Sequence, residues 1–133
     1  MIVVADTSVI IVALVGQSEL LRTLFREVLV PGAVRAEFRR LVDSGGRFAE
    51  LELPAWVQIR APASIPEAVV QHRNLHAGET EALALALEVA ADAVLIDEAI
   101  GRAVAVALGL TPIGVLGILV APNATASSWR SHR

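Results

Sequence analysis

Two short apolar runs in this chain each end on an aspartate. Val3-Val4-Ala5 leads into Asp6-Thr7-Ser8, and Val94-Leu95-Ile96 leads into Asp97. Continuous β-branched and aliphatic runs, without polar alternation, suit strands covered on both faces of a parallel sheet. In such a sheet ligands sit just beyond the carboxyl ends of the strands. Only four aspartates are present, Asp6, Asp43, Asp92 and Asp97. Two of them close strand-like runs, which suggests a cation site and metal-assisted chemistry.

The rest of the pattern alternates strand and helix. Ile2 to Ala5 reads as the first strand, and Thr7 to Leu14 is apolar at spacings that fit either element. A helix is expected over Ser18 to Glu27, with Ser18 as N-cap, followed by a short strand, Val28 to Val30. Pro31 opens a helix to Asp43, which Ser44-Gly45-Gly46 terminates. Val57 to Arg60 reads as a strand, Pro66 to Asn74 and Ala77 to Ala91 as helices, and Ala93 to Ile96 as a second strong strand. Glu98 to Leu108 is a helix closed by Gly109, and Pro112 to Val115 a last strand before a short apolar helix. Alternation of this kind implies parallel strands joined by helical crossovers, an α/β/α sandwich. One domain is expected over residues 1–120, with an irregular polar tail over 121–133.

Composition narrows the class. The chain has 133 residues, 55% of them apolar, and a mean hydropathy of +0.62. No apolar stretch reaches the ~18 residues of a membrane span, and Ile2 to Val15 carries Asp6 without a basic leader, unlike a signal peptide. So apolar a chain is expected to bury strands on both faces and to hide further surface in a homodimer, through the helices around Ser18 to Val42. Cysteine is absent, which fits a cytoplasmic protein and removes thiolate metal sites. The net charge of −3 argues against a chain that coats nucleic acid, and all 11 basic residues are arginine. Without lysine there is no P-loop, no Schiff base and no receiver-type phosphorylation site.

Further acids fall near the same edge. On the helix from Ala33, Glu37 borders the stripe of Val34, Phe38, Leu41 and Val42. It reads either as a border residue paired with Arg35 or Arg40, or as a carboxylate aimed toward Asp6. In His76-Ala77-Gly78-Glu79-Thr80-Glu81, a helical wheel puts Glu79 within the apolar arc of Leu83, Ala86, Leu87 and Ala90, and Glu81 on the polar side with Glu88. Asp97 and Asp6 could each simply cap the segment that follows. Clustered carboxylates repel by about 4 kcal/mol per close pair at moderate dielectric. A hard divalent ion offsets this, and an oxygen-only donor set suits Mg2+ or Mn2+ rather than zinc.

At these residues the chain resembles PIN-domain nucleases of the VapC type, the toxins of toxin–antitoxin pairs. The matching segments are V-V-A-D-T-S, P-G-A-V-R-A-E-F, G-E-T-E-A-L-A-L-A-L, L-I-D-E-A-I-G-R-A-V-A-V-A-L-G-L and T-P-I-G-V-L-G-I-L, in order over residues 2 to about 120. The resemblance implies a PIN-like three-layer sandwich, an RNA substrate, a cognate antitoxin protein and Mg2+ or Mn2+. Asp6, Glu37 and Asp97 match the first, second and fourth family acids. Family register places the third at Glu81, with Glu79 as co-candidate. All five are expected metal ligands. Thr7 or Ser8 would orient Asp6, and Arg102 would face the substrate backbone, although an ion pair with Glu98 serves it equally. The chain departs from the family at Ala99, where a further acid is common, and in its tail.

Two functions from different classes follow: a metal-dependent endoribonuclease, and a catalytically eroded PIN-like module that binds protein or RNA. Phosphotransfer fares worse, because D-T-S replaces the D-x-D of haloacid-dehalogenase phosphatases, and serine hydrolysis lacks G-x-S-x-G.

Overall fold

The structure is a computed structural model that describes residues 1–16 and 18–120. The expected tail, residues 121–133, lies outside the described residues. Among the described residues five strands form one sheet: β1 (Ile2–Ala5), β2 (Glu27–Val30), β3 (Val57–Ile59), β4 (Ala93–Leu95) and β5 (Pro112–Ile113). Their order is β3-β2-β1-β4-β5, and every pairing is parallel. Registers such as Val4 with Leu29 and Ala5 with Leu95 set the ends of β1, β2 and β4 level.

Among the described residues seven α-helices connect and cover the strands: α1 (Thr7–Gly16), α2 (Ser18–Leu24), α3 (Gly32–Asp43), α4 (Glu67–Val70), α5 (Ala77–Glu88), α6 (Ala99–Ala107) and α7 (Val115–Val120). Period-2 alternation divides the core between the two sheet faces. Val3, Ala5, Val28, Val30 and Leu95 pack with Val9, Ile10, Leu21, Val34 and Phe38. Val4, Leu29, Val94 and Ile96 pack with Val69, Leu83, Leu85, Val104 and Ala105 on the other side. The result is a three-layer α/β/α sandwich, as the continuous apolar runs imply. Among the described residues no helix is long and apolar enough to cross a membrane.

Thr7 to Leu14, open between strand and helix on spacing, belongs to α1. Three helices stop earlier than their sequence pattern suggests. The segment from Ser18 ends at Leu24, because Arg26 and Glu27 donate backbone N–H groups to the Met1 carbonyl and so start β2. After Val70 the polar run Gln71-His72-Arg73-Asn74 offers no apolar face, and α4 is a single turn. The third, α5, closes at Glu88: Ala90 takes a left-handed φ of 51° and the Ala91 N–H returns to the Ala86 carbonyl. Glycine usually fills such a position.

Two acids work away from the carboxyl edge. Asp92 Oδ2 accepts from the Ile2 N–H at 2.7 Å, tying the start of β1 to the entry of β4. Glu88 accepts from the Ala63 N–H at 2.8 Å and lies 3.6 Å from Arg60, holding the loop after β3 to α5.

Candidate active site

Strand order reverses direction between β1 and β4: the chain runs outward through β2 and β3, then restarts on the other side of β1. The crevice beyond the carboxyl ends at such a switch point is where open sheets of this class place their ligands. Asp6 directly follows β1. Its N–H donates to the Leu95 carbonyl at 2.9 Å, and its own carbonyl accepts from Ile10 at 3.1 Å to open α1. Asp97 and Glu98 follow β4 at the same edge.

A cavity of about 420 Å³ opens there, lined by Asp6, Thr7, Ser8, Glu37, Arg40, His76, Ala77, Glu79 and Glu98. Asp6 is only 7% exposed. Burial is the chief reason its carboxyl is pushed up to about 6; the Thr7 backbone N–H opposes this, Glu79 and Glu37 add to it, and His76 opposes it. Glu37 reaches the cavity from α3, and Gly78 lets α5 lie close to Asp6 and Val34. A β-carbon at Gly78 would lie 3.1 Å from Asp6 Oδ1, 3.3 Å from Val34 Cγ2 and 3.8 Å from Glu37 Oε2.

Glu79 is 3% exposed. One oxygen, Oε1, accepts from the His76 N–H at 2.9 Å and so closes the first turn of α5. The other, Oε2, is buried without a hydrogen-bond partner among the described residues. It lies 2.9 Å from where a β-carbon on Gly101 of α6 would stand. A buried carboxylate oxygen without a donor is expensive unless a cation or proton reaches it.

The sequence candidates separate on this geometry. Asp6, Glu37 and Glu79 line one cavity, with Thr7 and Ser8 beside them. Of the two candidate acids in the first turns of α5, Glu79 and Glu81, the helical wheel rather than the family register identifies the one that faces the cavity. Glu81 instead accepts from the Ala33 N–H at 2.9 Å. Asp97 is absent from the lining; its Oδ1 accepts from the Val115 N–H at 3.3 Å, at the start of α7 rather than of α6. Glu98 occupies the N-cap position of α6 and lines the cavity. Thr7 Oγ1 is buried without a hydrogen-bond partner among the described residues, so the contact from this residue to Asp6 comes from its backbone. Arg102 points its guanidinium at the Ile96 carbonyl, 3.4 Å away, outside the cavity lining. Arg40 and His76 line it instead. Arg40, one turn beyond Glu37, was legible from i, i+3 spacing, and His76 from its place three residues before Glu79.

Hard oxygen donors, an unpartnered Glu79 oxygen and a raised Asp6 suit a divalent cation in kind. Among the described residues, no three histidine, aspartate or glutamate side chains converge closely enough to hold one ion together.

A family model described as a PIN domain matches residues 2–125. The chain belongs to the PIN-domain family. PIN domains are generally nucleases that use divalent metal ions. Among solved structures, this PIN domain is similar to a PilT N-terminus domain protein from the hyperthermophilic archaeon Sulfolobus solfataricus. The two share 19% identity at a TM-score of 0.67, over 94% of this chain and 96% of that one. At that identity the likeness concerns the fold. No curated protein sequence matches the chain.

Proposed function

We propose that this PIN domain is a metal-dependent endoribonuclease that hydrolyses RNA phosphodiester bonds, acting as the toxin of a toxin–antitoxin pair. The observation that carries the nuclease reading is the gathering of Asp6, Glu37, Glu79 and Glu98 around one cavity at the switch point of the sheet. Among the described residues these side chains do not yet meet around one ion, so rotamer changes within the cavity would bring their oxygens onto Mg2+ or Mn2+. When bound, such an ion supplies a Lewis acid that activates water and stabilises charge on a phosphoryl group.

The chain's own groups do the rest. The Thr7 backbone N–H steadies the Asp6 carboxylate, and the first turn of α5 fixes Glu79 through His76. Arg40, at the cavity, offers a forked cation to a backbone phosphate, the place expectation gave to Arg102. Burial of Asp6 and Glu79 excludes water from two sides, which strengthens every charge interaction within.

The toxin role rests on the VapC-like order of motifs, and implies a cognate antitoxin and a cytoplasmic site of action. A homodimer is part of the same reading. Among the described residues, the large exposed apolar side chains lie outside Ser18 to Val42. Val12 on α1 and Leu116 on α7, 45% and 71% exposed on two helices that touch, offer a second apolar surface beside the expected helices around Ser18 to Val42. A monomer in light scattering at high micromolar concentration counts against it.

Incubating the purified protein with unstructured RNA and millimolar Mn2+ tests the nuclease. Cleavage is expected, with loss in EDTA and in Asp6→Asn. The separation of the acids favours one other reading, a module that binds RNA or protein without cutting. Intact RNA that nevertheless binds equally to wild type and Asp6→Asn would establish that alternative.

A further inference from the structure

Helix α3 begins without a cap of its own. Pro31 stands at its N-cap position and makes no side-chain hydrogen bond to the helix. The first N–H groups of a helix need outside acceptors. One acceptor comes from a distant part of the chain: Glu81 Oε1, on α5, takes the Ala33 N–H at 2.9 Å. The carboxylate also stands at the positive end of the α3 dipole. Gly32 adjoins the same oxygen, with a β-carbon there reaching it at an ordinary 3.8 Å.

Glu37 lies one helical turn beyond Ala33 on the same helix. Where α3 starts therefore decides where the Glu37 carboxylate stands. The two helices meet tightly one turn of α5 earlier, at Gly78, against Val34, Glu37 and Asp6. The contact is close but has no directionality of its own, since glycine has no side chain to hold a register. The hydrogen bond from Ala33 to Glu81 supplies one.

We propose that Glu81 is a positioning residue, which clasps the start of α3 to α5 and thereby holds Glu37 in the acidic cavity beside Asp6 and Glu79. Its effect on cation binding rests on the function proposed above; the clasp itself does not. The role needs an acceptor oxygen, not a charge. Glutamine has that oxygen and alanine lacks it.

The test compares wild type, Glu81→Gln, Glu81→Ala and Asp6→Asn as full chains, using amide exchange at Ala33 and the melting temperature with and without Mn2+. Ala33 is expected to exchange at a near-native rate in Glu81→Gln and about tenfold faster in Glu81→Ala, the loss of one hydrogen bond to a charged group. Mn2+ should stabilise Glu81→Gln as it does wild type, Glu81→Ala less, and Asp6→Asn not at all. Two results overturn the proposal. The first is loss of the Mn2+ response in Glu81→Gln as complete as in Asp6→Asn, which would put the Glu81 charge in the cation site. Alternatively, Ala33 exchange could be the same in all variants, which would mean that no clasp exists. Should wild type show no response to Mn2+ and no RNA cleavage, the proposed function falls, and Ala33 exchange alone decides the clasp. If Glu81→Ala does not fold, the Mn2+ response of Glu81→Gln still decides.

Discussion

Gly78 and Asp6 face each other with little room between them: a β-carbon on Gly78 would stand 3.1 Å from Asp6 Oδ1. It would also press on Val34 of α3 at 3.3 Å. Gly78→Ala therefore sets two effects against each other. Alanine in a helix gains about 0.5–1 kcal/mol over glycine, while overpacking costs about 1–3 kcal/mol. The expected outcome is a small loss of melting temperature with a larger loss of RNA cleavage, because the displaced atoms belong to the cavity. Parallel thermal and cleavage assays check this.

Burial makes Asp6 a pH-dependent liability. Its carboxyl lies at about 6 in the fold, against 3.8 for an unburied aspartate. Between those values the folded state keeps a proton that the unfolded chain has released. Stability from this group is thus highest below the window and falls as pH rises through it. Above it, ionised Asp6 destabilises by about 3 kcal/mol. Asp6→Asn is expected to raise the melting temperature in EDTA at about pH 8 and change it little at about pH 4, since asparagine keeps an acceptor oxygen for the Thr7 N–H. The difference between variant and wild type across that range is the measurement.

Asp97 and Glu98 are neighbours with different surroundings. Asp97 accepts from Val115, whereas Glu98 lines the cavity. Glu98→Gln is expected to weaken Mn2+-dependent stabilisation more than Asp97→Asn does. Asp97→Ala should instead cost about 0.5–1.5 kcal/mol of stability through its lost hydrogen bond. Thermal shifts of the three variants, with and without Mn2+, separate the roles.

Gly101 is the tightest spacer around Glu79. A β-carbon there would fall 2.5 Å from Ile96 Cδ1 and 2.9 Å from Glu79 Oε2. Gly101→Ala is expected to destabilise by about 1–3 kcal/mol, and to reduce the Mn2+ response because Glu79 must move. Denaturant unfolding gives the first quantity and a Mn2+ titration the second.

The fold was largely legible because its strongest signal is local. Val3-Val4-Ala5 and Val94-Leu95-Ile96 announce strands buried on both faces, and the acids after them mark the carboxyl edge. What spacing could not show was which oxygen of which acid was already engaged. Glu81 is taken by an N–H 48 residues away in sequence, and Asp97 by one 18 residues away. Such long-range partners leave no periodic trace. Glu79 did leave one, since a glutamate inside the apolar arc of its own helix has to face a partner or a cavity. Helices end short of their sequence pattern where backbone bonds to other elements intervene, as with Met1 capturing Arg26 and Glu27.

The central position of β1 also has a consequence for synthesis. Its neighbour β2 leaves the ribosome soon after it, but its other neighbour, β4, starts only at Ala93. Contacts so distant in sequence close slowly and late. A nascent chain therefore carries Asp6 and Glu37 long before Glu79 and Glu98 exist to join them. The acids meet only after most of the domain has been translated. Until then one edge of β1 stays open, and that interval is when the growing polypeptide is most exposed to chaperones and to strand-to-strand aggregation.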